Sequence, residues 1–488
     1  MYDTMLLLLP IHFPGLSFEL YLELAALTLV LLFWAYLFIK ALRSHLNTPM
    51  IKDTSNVICN DFRSNLPLVS VIIPARNEED NIEKCLLSVL IQDYPNFEVI
   101  AVDDNSEDRT LEIMKEIKSK QGFGEKLKVI SLVAKPSGWT GKTWASQQGY
   151  KNSGGDILLF TDADSLFEDR HAIELTMRHM LSDNLDALTG IPYLPPVDFW
   201  SKIVMPVWNL YSEIFGHGIA DANNPKSKTA FVMGSFFMVK KEVFEEIGTY
   251  TSVRDEIQED RAMGNKLKTK HYRIKIFKVD SLISALWSRD LSSLWHGIRR
   301  SITPAAMEDK LTIISHQLIL LVTMALPFLL LPYNVLMFCI SSDYGAQQPS
   351  NVISIPNMVQ TLAYGPSAVE DQIQNSIPKG QIGFNPASRN EPPLESILFW
   401  FNLSLCLLII ATTGIKSVMK YRLVPLYSIL CPIGGFFLIV SYAYCTIPLL
   451  TRMNTKSIKW RGRSHDLLVK NDAKNKLRDS KEKRSARR

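Results

Sequence analysis

Val69-Ser-Val-Ile-Ile-Pro-Ala-Arg-Asn-Glu-Glu-Asp80 is a run of β-branched and apolar residues that stops at polar ones. A short apolar run bounded in this way reads as a strand buried on both faces. Pro74 and Ala75 close it, and Arg76, Asn77 and Glu78 emerge where the strand meets solvent. The pattern returns in FEVIAVDD at 97–104, KLKVISLVA at 126–134 and DILLFTDAD at 156–164, with helix-like segments at 79–90 and 106–118. Alternation of this kind predicts an α/β domain over 67–310, an open, mainly parallel sheet with helices on both faces. Such sheets bind ligands at the carboxyl ends of their strands. The polar residues that end each run are therefore the candidates for chemistry.

Two of these ends are acidic. Asp103 and Asp104 stand side by side, and like charges so close need a partner, such as the hydroxyls of a ribose. Asn105, Ser106 and Asp108 also fit a plain capped turn. Asp162 and Asp164 follow the next acidic strand, and paired hard oxygen ligands there suit Mg2+ or Mn2+ held against a substrate's phosphates. Pro136-Ser-Gly-Trp-Thr-Gly-Lys-Thr-Trp144 nearly spells the ATPase phosphate loop, but Pro136 occupies the first glycine position and has no N–H to donate. A nucleotide triphosphatase is therefore the alternative function, and Lys142 is a point charge for a diphosphate in either case. Glu259 and Asp260, in Gln258-Glu-Asp-Arg261, can supply a general base. Trp295-His-Gly-Ile-Arg-Arg300 sets Arg299 and Arg300 close to an apolar run, where they can clamp phosphates or meet lipid headgroups.

The chain of 488 residues is too long for one small domain. Its net charge is only +4, yet the 451–488 tail is crowded with Lys and Arg. Beside apolar spans, that tail marks the cytoplasmic side of a membrane rather than a nucleic-acid site. Six cysteines are scattered without a Cys-x-x-Cys pair and read as small buried hydrophobes. After a 1–17 segment, the run at 18–40 is long enough for one transmembrane helix, which needs roughly 20 residues. A signal peptide is the competing reading, but no Lys or Arg precedes the run and no small-residue cleavage site follows it, so an anchor is expected. Lys40 and Arg43 follow it and place the domain inside. Further spans are expected at 311–340 and, as two segments, within 395–450, with an extracytoplasmic loop at 341–394. The interruption Cys431-Pro-Ile-Gly-Gly435 predicts a re-entrant hairpin that returns the tail to the cytoplasm.

Taken in order, these motifs resemble the family-two glycosyltransferases of GT-A fold. GWTGKTWASQQGY at 138–150 and IKWRGRSH at 458–465 look closest to the hopene-associated and carotenoid-type membrane enzymes. The resemblance implies sugar transfer with inversion from a nucleotide-diphosphate sugar, a UDP-sugar as the first expectation, to a membrane lipid acceptor. It implies that Pro74 to Glu78, Asp103, Asp104, Lys142, Asp162, Arg299 and Arg300 face the donor. Asp164, with Asp162, would hold the metal. Gly234, Ser235 and Trp295 would face the acceptor, and Asp260, with Glu259, would be the base. Processive synthases of this family carry Gln-x-x-Arg-Trp near the membrane. His296-Gly-Ile-Arg-Arg300 keeps only the Arg, which favours addition of a single sugar. A non-catalytic scaffold is a third possibility, against which the intact acidic motifs argue.

Overall fold

The computed structural model describes residues 18–51, 66–120, 122–215, 219–227, 229–347, 394–450, 457–460 and 463–466. The 1–17 segment, Cys59, most of the 341–394 loop and most of the basic tail lie outside them. The chain divides into two units. One comprises Met1–Leu31 with Leu326–Leu408, the other Leu32–Ala325 with Ile409–Arg488.

In chain order the elements begin with α1 (Phe18–Asn47), β1 (Val69–Ala75), α2 (Ile82–Leu90), β2 (Phe97–Asp103), α3 (Thr110–Ser119), β3 (Leu127–Ser131) and α4 (Gly141–Lys151). Then come β4 (Ile157–Phe160), β5 (Ser165–Phe167), α5 (Ala172–Ser182), β6 (Ala187–Ile191), α6 (Phe199–Ile214), α7 (Ile219–Asn223), β7 (Phe237–Lys240) and α8 (Lys241–Glu246). The domain closes with α9 (Glu259–Thr269), β8 (Ile274–Lys278), β9 (Ile283–Ala285) and α10 (Leu291–Glu308).

Seven strands form one sheet in the order β3-β2-β1-β4-β7-β6-β8. β3, β2, β1 and β4 are mutually parallel, β7 runs against both its neighbours, and β6 pairs parallel with β8. The mainly parallel α/β sheet is thus as expected. Alternation along β1 and β2 builds its two faces. Val69, Val71 and Ile73, with Val99 and Ala101, pack against Leu86 and Val89 of α2, Met114 of α3 and Ile173 of α5. Ile72, Ile100 and Val102 point the other way, onto Ala145 of α4, Phe244 of α8 and Leu267 of α9. Side chains of a strand alternate in this way, so helices on both faces follow from a run apolar at every position.

Order along the sheet reverses at β1: β2 and β3 lie to one side, β4 to the other. A crevice at the carboxyl ends of β1 and β4 results. The helices after β1 and β2 start later than the sequence suggests, at Ile82 and Thr110. Asn77 and Asn105 take positive φ, 53° and 55°, and the two turns tie to one another instead. Asn77 N donates to Ser106 Oγ, Glu107 N to Asn77 Oδ1, and Glu79 N to Asp108 Oδ2. Asn tolerates this left-handed backbone better than other side chains do.

Four helices are long and apolar enough to cross a membrane: Leu20–Asn47, Lys310–Ser342, Glu395–Tyr421 and Pro425–Pro448. The second comprises α11 (Lys310–Leu320), a π turn at Leu321–Ala325 and α12 (Leu326–Gln347); the third lies within α13 (Leu394–Tyr421). The hairpin expected at 431–435 is not there. Pro425–Leu430 forms a 3-10 turn, and α14 (Cys431–Leu450) then runs without a break. Pro432 sits in its first turn, where a missing N–H breaks no helical bond. The glycines serve packing. A Cβ on Gly434 would lie 2.7 Å from the Ile203 carbonyl oxygen, and one on Gly435 would strike Met324. Cys85, Cys406, Cys431 and Cys445 are buried, whereas Cys339 is exposed. In the tail, β10 (Ser457–Trp460) and β11 (Arg463–Asp466) pair antiparallel.

Candidate active site

A cleft of about 840 Å³ opens where β1, β2 and β4 end. Ala75 closes β1, and Pro74, Arg76, Asn77 and Glu78 line the wall beside it. Arg76 donates through Nη1 to the carbonyls of Asp104 and Asn105 at 2.7 and 2.5 Å, and pairs through Nη2 with Glu107 at 3.0 Å. It therefore fixes the β2 turn as well as lining the cleft. Asp104 lines the cleft too. Asp103 does not: it is the last residue of β2, buried, and it accepts from Ser106 N at 3.2 Å. For Asp103 the plain capped turn is what the chain builds.

Lys142 stands in the first turn of α4, whose N-cap Thr140 accepts from Thr143 N. Its ammonium meets three carboxylates from distant parts of the chain. Asp162 Oδ1 lies at 2.9 Å, Glu259 Oε1 at 3.0 Å and Asp260 Oδ1 at 3.9 Å. Asp162 and Asp164 sit in the turn after β4, either side of buried Ala163. Glu259 and Asp260 form the first turn of α9, where acidic groups meet the positive end of the helix dipole. Gly234 N donates to Asp260 Oδ2 at 3.2 Å. A Cβ at Gly234 would collide with the Lys142 ammonium and come within 3.1 Å of both Asp260 oxygens, so glycine leaves room for the cluster. Ser235 lines the cleft beside it; its carbonyl accepts from Thr161 Oγ1 at 2.8 Å.

This crowding moves the titrations. Burial alone would lower the Lys142 ammonium, but Asp162, Asp260 and Glu259 outweigh it and hold it well above its ordinary range. Burial raises Asp164 to about 7, helped by the Asp162 charge and opposed by Lys142. Burial likewise raises Asp260 to about 7, with Lys142 opposing and Glu259 assisting.

Asp164 and Asp162 offer hard oxygens side by side, and a divalent cation there would relieve the raised Asp164 carboxyl. Among the described residues no group of three or more His, Cys, Asp or Glu could hold a metal. A Mg2+ or Mn2+ ion here would take its remaining ligands from phosphate and water, as Mg2+ commonly does. The residues present fit such an ion.

The phosphate-loop alternative does not fit. Thr143 is fully buried, and its hydroxyl donates to the Arg254 carbonyl at 2.8 Å rather than facing a ligand. Its segment also follows the edge strand β3 of the sheet.

On α10 the sequence expectation divides. Arg300 lines the cleft with His296 and Gly297. Trp295 and Arg299 lie outside it, one helical turn apart on another face. Trp295 packs edge-on to Phe437 and Tyr444, and the Arg299 guanidinium stacks 4.5 Å over the Tyr444 ring. Both hold α14. Sequence reasoning missed the opposite wall, Trp287, Ser288, Arg289 and Asp290. It is brought there by β9 pairing with β5, directly after the Asp162–Asp164 turn. Arg289 pairs with Asp80 at 2.5 Å and with Glu78 at 3.5 Å across the cleft. The polar run after the short apolar segment at 283–285 was the available signal.

Residues 70–248 match the model of glycosyl transferase family 2. This domain belongs to glycosyl transferase family 2. Among curated relatives of the family-two domain, it is similar to the probable glycosyltransferase YdaM of Bacillus subtilis, 27% identical over 214 residues, 43% of this chain and 49% of that one. It is also similar to 4,4'-diaponeurosporenoate glycosyltransferase of Staphylococcus haemolyticus, 37% identical over 126 residues, 26% of this chain and 32% of that one. The chain thus spans half or less of these relatives' length. Among solved structures, it is similar to the mannosyltransferase PcManGT of Pyrobaculum calidifontis in complex with GDP-Man and Mn2+. That likeness has 16% identity, covers 82% of this chain and 97% of the other, and has a TM-score of 0.40. The family-two match ends before Glu259, Asp260 and the α10 wall.

Proposed function

We propose that the chain transfers one sugar, with inversion, from a nucleotide-diphosphate sugar to a hydroxyl of a membrane lipid. The observation that carries this is the convergence of Asp162, Glu259 and Asp260 on Lys142 at the strand ends. Pro74 to Glu78 and Asp104 receive the nucleoside, and a UDP-sugar is the first donor to try. Lys142 and Arg300 face the diphosphate. Asp164 and Asp162 hold Mg2+ or Mn2+, which when bound neutralises diphosphate charge. Gly234 and Ser235 line the acceptor side. Asp260 takes the acceptor proton: its carboxyl titrates near 7, where a general base works best, while Glu259 is engaged 0.9 Å closer (3.9 against 3.0 Å) to Lys142.

A lipid acceptor is supported by α10, which puts His296 and Arg300 into the cleft and Trp295 and Arg299 onto the apolar α14. In the same reading the domain and the basic tail are cytoplasmic, and α1, α11–α12 and α13 cross the membrane. Thermal melts of the solubilised chain with nucleoside diphosphates, with and without Mn2+, test the donor site. Metal-dependent stabilisation is expected, and Asp164→Asn should abolish it while leaving the unliganded melt in place. Equal stabilisation in EDTA would defeat the metal assignment.

A further inference from the structure

A second pocket, of about 110 Å³, lies outside the cleft and shares no lining residue with it. It sits between the basic end of α1, the end of α13, Glu213 of α6, and the residues that follow β6 and close β8. Its ionisable lining is Lys278, Lys416, Lys420 and His45 against Glu213 and Asp280. Glu213 is taken: it accepts from Lys416 at 2.5 Å, and both are nearly buried. Lys278 Nζ donates to the His45 carbonyl at 2.6 Å. Among the described residues no carboxylate stands within ion-pair distance of Lys278 or Lys420. The donor site uses neither Lys416 nor Lys420.

Phe38 and Leu42 of α1 and Ile415 and Met419 of α13 complete the wall. The cavity is therefore small, cationic at its base and apolar at its rim, and its walls are the ends of two helices apolar enough to cross a membrane. It has room for a tetrahedral oxyanion and little more. We propose that it binds the phosphate of an anionic membrane-lipid headgroup, with the lipid's chains running along α1 and α13. Cationic pockets between spanning helices on the cytoplasmic side suit such headgroups. Burial, with Lys416 nearby, holds the Lys278 ammonium below its ordinary range in spite of Asp280 and Glu213, and a phosphate there would relieve it. The proposal rests on the membrane placement and not on sugar transfer.

The test uses the full chain in neutral detergent and needs no sugar donor. Phosphatidylglycerol, phosphatidylcholine, glycerol 3-phosphate and inorganic phosphate are each titrated while Tm is read. A ligand that binds only the folded state raises Tm. Phosphatidylglycerol is expected to raise it by several degrees, phosphatidylcholine much less, and the two soluble phosphates hardly at all. Lys420→Gln and Lys278→Gln should each weaken the phosphatidylglycerol response at least tenfold in midpoint concentration. Lys420→Arg should keep it, as should Arg43→Gln, an exposed charge on the same helix outside the pocket. An unchanged response in both Gln variants overturns the site. If only one of them folds, the other decides. A full shift with inorganic phosphate overturns the lipid as its source, and a chain that stays soluble without detergent overturns the membrane placement itself.

Discussion

Lys142 is one ammonium with three carboxylates, so small changes around it separate charge from structure. Gly234→Ala puts a methyl where the ammonium rests. The obstacle is the free end of a flexible side chain, so the fold should bear it with little change in Tm. The displaced lysine loses Asp162 and Glu259, and kcat should fall more than tenfold, as expected when a preorganised electrostatic contact is lost. Steady-state rates and melts on one preparation check this; full activity would mean that the Lys142 cluster is not used. Asp260 and Glu259 are compared in the same way. Asp260→Asn should cut kcat by roughly 10²–10⁴-fold with donor affinity kept. Glu259→Gln should instead weaken donor binding by loosening Lys142. Loss of donor binding in Asp260→Asn would make Asp260 a binding residue and leave the base elsewhere.

At the scale of elements, the sheet's far edge is held by one acidic residue. Asp186 precedes β6; it accepts from Lys240 of β7 at 3.0 Å, and from Arg273 N, ahead of β8, at 2.9 Å. Burial works to raise its carboxyl, but the Arg273 and Lys240 hydrogen bonds prevail and hold it below the ordinary aspartate range. A depressed carboxyl stabilises the fold fully above its unfolded value, about 3.9, and the effect is lost as pH falls through the folded value. Asp186→Asn should therefore cost about 1 kcal/mol at pH 7. The gap between the two melts should narrow as pH falls below about 3.9; a gap of constant size would show that the ion pairs are not its cause. The helices around α14 follow another logic. Gly434 lets the α6 backbone approach, and Trp295, Arg299 and Thr303 of α10 lie along Phe437, Tyr444 and Cys445.

That packing bears on the whole molecule. In the proposed topology, the positive residues after the first apolar run and around 416–422 would put the domain and that segment on one side. If α14 then crossed, the basic tail would be outside. α14 instead packs on α6 and on α10, the helix that lines the cleft, so it is expected to stay on the domain's side. The tail then stays cytoplasmic without a hairpin. A cysteine introduced at Ser480 should resist an impermeant maleimide in intact cells and react after lysis. Ready labelling of intact cells would mean that α14 crosses.

Much of this was legible in the chain. The runs at 69–75, 97–103 and 156–164 show strands because a buried parallel strand is apolar at every position, and that is a local property. Their polar ends show where a ligand would lie, because strand polarity fixes which edge of the sheet they share. So Asp104, Asp162 and Asp164 could be named from those ends, and Lys142 and Asp260 from the near-phosphate-loop and Gln-Glu-Asp-Arg patterns together with the family resemblance. Their union could not: Lys142, Asp162 and Glu259 meet only because α4, the turn after β4 and α9 are packed together, and no spacing encodes that distance. The choice of Arg300 over Arg299 depends on how α10 is rotated, which the aromatic residues of α14 decide. Asp103 looked like a partner of Asp104, but successive strand residues face opposite ways and the turn claimed it. Gly434 and Gly435 read as a break because glycine is permissive in isolation. Only the neighbouring helix shows that they are small in order to be touched.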